Sequence, residues 1–126
     1  MHSDSNDNKK KRGIGLRFAW NGIIEVLQHE RNFRVHIIAV LLVVCTGLLL
    51  KLTTGEWALI VLVIGFVLAM EMVNTVIETL LDYVNPAIHP TAKVIKDVSA
   101  GVVLIAAITA VIIGLLIFLP KLYSLF

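Results

Sequence analysis

Glu71, Asn74, Thr75, Glu78, Asp82 and Asn85 recur at intervals of three and four residues. On a helix that spacing gathers them within about 100° of arc, a single polar stripe. Leu68, Val73, Val76 and Leu80 fall on the other faces. Carboxylates spaced this way can take a proton from a reacting hydroxyl or hold a hard cation. Other charged groups recur at segment ends: Glu30 with Arg34 one turn on, Lys96 beside Asp97, and the run Lys9-Lys10-Lys11-Arg12. Oxygen-rich sites of this kind suit magnesium bridging to phosphates, and the cations suit the phosphates themselves.

The elements that must position these groups are membrane segments. The chain has 126 residues, 58% of them hydrophobic and 16% charged, with a mass of 13.9 kDa and a mean hydropathy of +0.89. A domain this small buries about two-thirds of the surface its unfolded chain exposes. It could not hide so much apolar side chain from water, so lipid is the expected main solvent. Residues 1–126 read as one domain. A polar tail at 1–12 is followed by an amphipathic helix at 14–30, with Leu16, Trp20, Ile23, Ile24 and Leu27 on one face. Its basic start and single apolar stripe fit a helix lying on the membrane surface. Three apolar stretches follow, at about 35–52, 57–84 and 98–119, each near the ~20 residues that cross a bilayer. The last stops at Pro120-Lys121. The expected fold is all-α and integral to the membrane, with no cleavable signal peptide. Basic residues crowd ahead of the first span, which puts the N-terminus and the 85–97 loop in the cytoplasm and the C-terminus outside.

That topology sets Glu71 about 21 Å and Glu78 about 31 Å along a helix from Trp57, at the inner half of the bilayer. A carboxylate near the bilayer centre costs ~2.5–3.5 kcal/mol. Several on one face are tolerable only where that face meets protein, water or a bound cation. Each group alone has a plainer reading. Glu71 could fix helix packing by a hydrogen bond, Glu78, Asp82 and Asp97 could simply be solvated, and Arg34 could snorkel to the interface. His2, His29, His36 and His89 show no metal-ligand spacing, and Cys45 reads as a small hydrophobe that permits no disulfide. Ala106, Ala110 and Gly114 recur at fours, an interval that lets membrane helices approach closely. Three spans are few to enclose a polar site, which favours a homo-oligomer. The basic residues sit beside apolar segments, so membrane rather than nucleic acid is the expected partner.

Two function classes survive. One is an enzyme that transfers a phosphoryl group at the inner membrane face, with one carboxylate taking a proton from a lipid hydroxyl. The other is an ion- or proton-conducting oligomer with Glu71 lining a pore. The outer halves of the spans are almost devoid of polar groups, which favours the enzyme. No glycine-rich phosphate loop is present, so a soluble-type kinase fold is excluded.

Glu71-Met-Val-Asn74-Thr75-Val-Ile-Glu78, followed by Asp82, resembles the signature of the small three-span prokaryotic diacylglycerol kinases, E-x-x-N-[ST]-A-I-E-x-x-x-D, with Val76 in place of the usual Ala. Glu30-Arg31-Asn32-Phe33-Arg34 resembles the family's E-x-x-F-R segment. The stretch from Ala92 to Ala100 with Lys96-Asp97 resembles its A-K-D-x-x-[AS] segment. The likeness spans about residues 13–120. The E-R-N-F-R-x-H form and the Phe-Leu-Pro-Lys end look most like the Gram-positive members, which are similar to undecaprenol kinases. The resemblance implies a homotrimeric lipid kinase that uses ATP and magnesium on undecaprenol or, alternatively, diacylglycerol. It implies Glu71 as catalytic base and Glu30 and Glu78 as magnesium ligands. Asn74, His89, Lys96 and Asp97 would lie around the nucleotide, joined by Lys11 or Arg12 and by Phe18, which stands where the family has a Tyr. Trp20 and Arg34 would border the lipid.

Overall fold

The computed structural model describes residues 4–84 and 89–126, with side chains described for Gly13 and from Gly15 onward. Among them are four helices and no strand: α1 (Asp4–His29), α2 (Arg31–Leu49), α3 (Thr54–Val84) and α4 (Pro90–Ser124). The chain divides into two compact units, residues 1–31 and 32–126. The side chains of Lys11 and Arg12, and Asn85 of the polar stripe, lie outside the described residues.

In the first unit helix begins at Asp4, so part of the stretch read as a polar tail is helical backbone. Polar residues lack the apolar periodicity that reveals a helix, yet Lys, Arg and Asn at the start of one cost little in propensity. The helix closes at His29, whose Nδ1 lies 3.0 Å from the Glu25 carbonyl and 3.2 Å from the Glu25 carboxylate. Glu30 falls between α1 and α2 and donates its N–H to the Val26 carbonyl at 2.8 Å. Leu16, Phe18 and Trp20 are exposed, as an apolar surface offered to lipid would be.

In the second unit α2, α3 and α4 are each long and apolar enough to cross a membrane. Most of their apolar side chains are exposed, Leu41, Leu62, Leu104 and Leu116 among them. Water would penalise that surface by roughly 25 cal/mol per Å², whereas lipid tails do not. All three helices begin ahead of the apolar stretches that mark them; α2 closes at Leu49, short of 52, α3 ends at Val84 as expected, and α4 runs past its stretch, because a helix need not end where hydropathy does. Pro120 makes the point. The apolar run ends there, but α4 continues to Ser124. The proline gives up the bond to the Leu116 carbonyl and crowds that carbonyl, a local cost that α4 carries for its last turn.

The α2–α3 connection is tightly built. Lys51 adopts a left-handed φ of 55°, and the Leu52 N–H returns to the Gly47 carbonyl at 3.2 Å. That six-to-one bond closes α2 as a Schellman turn does, with lysine at the position that glycine usually takes. Thr53 then opens α3 through a capping box. Its N–H donates to Glu56 Oε1 at 2.9 Å while the Glu56 N–H donates to Thr53 Oγ1 at 3.3 Å. The same Glu56 oxygen meets Lys121 Nζ at 3.0 Å, tying the start of α3 to the end of α4. Beside this turn Leu52, Ile60 and Ile117 form the buried cluster, flanked by Val43, Trp57, Ile64, Ile113 and Phe118. Gly47 is buried there because a Cβ would lie 2.8 Å from Trp57 Cη2 and 2.9 Å from Leu52 Cδ1.

Candidate functional site

At the other end of the α2–α4 unit the polar stripe of α3 turns inward. Glu71 is 3% exposed, the buried carboxylate of this unit's described residues. Its Oε2 lies 3.5 Å from His36 Nε2 of α2. Thr75 Oγ1 donates to the Glu71 carbonyl at 3.1 Å, a bond back along the helix that keeps this hydroxyl satisfied in an apolar setting. Val73, Val76 and Leu80 are exposed on the opposite faces. For these three the division of faces follows the spacing, but Leu68 does not: it is half-buried and lines a groove with His36, because a residue three before Glu71 lies on nearly the same side of the helix.

Across the hairpin α4 supplies the partners. Ser99, 4% exposed, donates its hydroxyl to Asn74 Oδ1 at 2.7 Å. Two turns toward the end of α3, Lys96 Nζ reaches Asp82 Oδ1 at 2.8 Å, and the charge of half-buried Glu78 also acts on Lys96. Asn74, Glu78, Asp82, Lys96 and Ser99 thus share one seam between α3 and α4. Asp97 does not join it. Consecutive helical residues point about 100° apart, and Asp97 instead pairs along its own helix with Lys93 at 2.8 Å, both exposed.

His89 is the N-cap of α4. Its Nδ1 accepts the Thr91 N–H at 3.1 Å, and Pro90 occupies the first helical turn, where a missing N–H costs nothing. With Leu81, Thr91, Ala92 and Ile95 it lines a pocket of about 270 Å³. Arg34 stands exposed near the start of α2. Glu30, Phe18 and Trp20 belong to the first unit, Phe18 and Trp20 exposed and Glu30 half-buried.

Two residues of this site escaped sequence reasoning: His36 and Ser99. His36 has no metal-ligand spacing to mark it, although at four and seven residues it shares the inward face of α2 with Val40 and Val43. Ser99 sits three residues beyond Lys96 on α4 and so on nearly the same face. Small hydroxyl residues give no hydropathy signal, and only a helical wheel would have separated it from Ala100.

An apolar groove of about 430 Å³ runs between α2, α3 and α4 from His36 to Phe118. Ala107, Ala110 and Gly114 line it, while Ala106 is fully buried. Of the three small residues spaced by fours, Ala106 is packed away while Ala110 and Gly114, with Ala107, leave this space open. His36 bridges its two environments, lining the groove and touching Glu71.

Magnesium can be tested against the donor set. Among the described residues no three His, Cys, Asp or Glu side chains gather into a ready-made metal cage. Magnesium does not ask for one: it keeps several waters and is held by one or two carboxylates together with substrate phosphates. Carboxylates such as Glu78, with a lysine at hand for phosphate, fit that demand, whereas a soft-metal site would need Cys or paired His.

The model of the family described as prokaryotic diacylglycerol kinase matches residues 17–118. The undecaprenol kinase of Bacillus subtilis (strain 168) is 45% identical over 122 residues, which cover 92% of this chain and 99% of that one. A diacylglycerol kinase of Synechocystis sp. is 38% identical over 89% of this chain and 65% of its own length. The diacylglycerol kinase of Escherichia coli (strain K12) is 30% identical over 75% of this chain and 78% of its own. With the buried acid of α3, its seam with α4 and the three long apolar helices all in place, the chain belongs to the prokaryotic diacylglycerol kinase family of lipid kinases.

Proposed function

We propose that this kinase uses ATP and magnesium to phosphorylate undecaprenol, giving undecaprenyl phosphate at the cytoplasmic face of the bacterial cell membrane. It works as a single-domain homotrimer with its N-terminus inside. The observation that carries the chemistry is Glu71, a buried carboxylate next to the residue that begins an apolar groove. A lipid alcohol lying in that groove would bring its hydroxyl to the end where His36 meets Glu71. The 45% identity to an undecaprenol kinase, over almost the whole of both chains, supports the choice of lipid.

In this mechanism Glu71 accepts the hydroxyl proton while the lipid oxygen attacks the γ-phosphorus of ATP. The new O–P bond forms as the bond to the ADP oxygen breaks. General-base help of this kind is worth about 10²–10⁴-fold. Asn74 and Lys96 hold the phosphates, with Lys11 or Arg12 adding charge from the N-terminal segment. Phe18, His89 and Asp97 border the nucleotide, and Trp20 and Arg34 border the lipid. Glu30 and Glu78 would hold magnesium, which when bound neutralises charge on the transferring phosphates.

The test is transfer from γ-labelled ATP by the purified protein to undecaprenol and to diacylglycerol. Preference for undecaprenol is expected. Preference for diacylglycerol would establish the second reading, which the relatives of Synechocystis and Escherichia coli favour. A conducting oligomer is separated by flux: liposomes bearing the protein should pass no protons or cations without ATP.

A further inference from the structure

We infer that His36 is the positioning residue for Glu71, holding the carboxylate in the orientation from which it takes the proton of the lipid hydroxyl. The inference rests on the kinase reading above and adds a residue to it.

A carboxylate on a helix in an apolar setting has a freely turning terminal torsion unless a donor holds it. Glu71 is almost wholly enclosed, and His36 Nε2 stands 3.5 Å from its Oε2. At 3.5 Å this is a close approach of donor to acceptor, longer than a formed hydrogen bond. Contacts that serve catalysis are often this long before substrates arrive, and tighten in the reacting complex. The two residues come from different helices, α2 and α3, so the contact fixes the carboxylate relative to the groove and not merely to its own helix. His36 is also partly exposed, at 26% of its side chain, and that exposed part lines the groove. One imidazole therefore faces the apolar channel on one side and the base on the other. A residue placed only to fill space there would be apolar, like its groove neighbours Val40 and Val43. With Nε2 as the donor, Oε2 is the oxygen held, and the plane of the carboxyl group is set with it.

The experiment compares His36→Leu and His36→Gln in the full chain, in detergent, with undecaprenol and γ-labelled ATP. Glutamine places an amide nitrogen near the position of Nε2, whereas leucine keeps the bulk and removes the donor. His36→Leu should lower kcat by about 10- to 100-fold, the scale of a misplaced reacting group, and leave KM for ATP within about twofold. His36→Gln should recover to within about fivefold of the parent if the lost donor is the cause. Undiminished kcat in His36→Leu, or a loss that His36→Gln fails to recover, would overturn the assignment. Thermal unfolding accompanies each variant. Should His36→Leu not stay folded, His36→Asn replaces it, since its shorter amide cannot reach Glu71 and should show the same loss of kcat. Parent-like turnover in His36→Asn overturns the assignment equally. A parent protein that phosphorylates neither lipid alcohol would overturn the kinase reading itself, a result visible before any variant is made.

Discussion

Ser99 donates its hydroxyl to Asn74 Oδ1 at 2.7 Å, joining α4 to α3 one turn from Glu71. With its oxygen engaged on this side, the Asn74 amide is oriented so that its nitrogen is the end presented elsewhere. A phosphate oxygen needs just such a donor. The bond is also structural. Side-chain hydrogen bonds between membrane helices average about 0.6 kcal/mol and reach about 1.7.

Ser99→Ala should therefore cost about 0.5–1.7 kcal/mol of stability in detergent and a modest part of the rate. Asn74→Asp should do more. It replaces two donors by an acceptor and adds a negative charge beside Glu71 and Glu78, so kcat/KM for ATP should fall by at least about 10²-fold. Steady-state kinetics with thermal unfolding on both variants would check this. Equal losses in the two would deny Asn74 a separate role.

Glu71→Gln keeps the shape and volume of the buried side chain and removes its basicity. Turnover should fall by about 10²–10⁴-fold while the unfolding temperature holds or rises, because a buried charge is no longer carried. Nucleotide binding, followed by fluorescence of an ATP analogue, should persist. Near-normal turnover would remove Glu71 from the role of base.

Chelation of divalent ions should stop transfer, and added magnesium should restore it. Glu78→Ala should raise the magnesium needed for half-maximal rate by about 10-fold or more, since loss of one carboxylate from so sparse a set removes much of the protein's hold. Glu30→Ala should behave alike. A magnesium titration of each variant decides, and unchanged curves would assign the metal to other groups.

Gly47 lies under Trp57 and Leu52 with no room for a side chain. Gly47→Leu should destabilise the protein by about 1–3 kcal/mol, the usual cost of overpacking a filled site. The damage is at the far end of the unit from Glu71. The KM for ATP should therefore stay near that of the parent in whatever fraction remains folded, measured by kinetics after mild extraction.

What the chain's order of residues determined by itself was everything that depends on periodicity. Long apolar stretches set the three crossing helices, because only a helix satisfies its own backbone in lipid. Intervals of three and four put Glu71, Asn74, Glu78 and Asp82 on one face. Tertiary packing decided which of these meet and through whom. Lys96 and Asp97 are neighbours in sequence, yet one reaches Asp82 on α3 and the other Lys93 on α4. His36 reads as an isolated histidine until α2 is laid against α3, when it touches Glu71. The helical start at Asp4 was hidden because it carries no apolar pattern, and the passage through Pro120 because a proline reads as a helix stop. Local spacing fixes the direction of a side chain around its own axis. How far two axes stand apart, and at what rotation, comes from close fits such as Gly47 under Trp57, which no single segment contains.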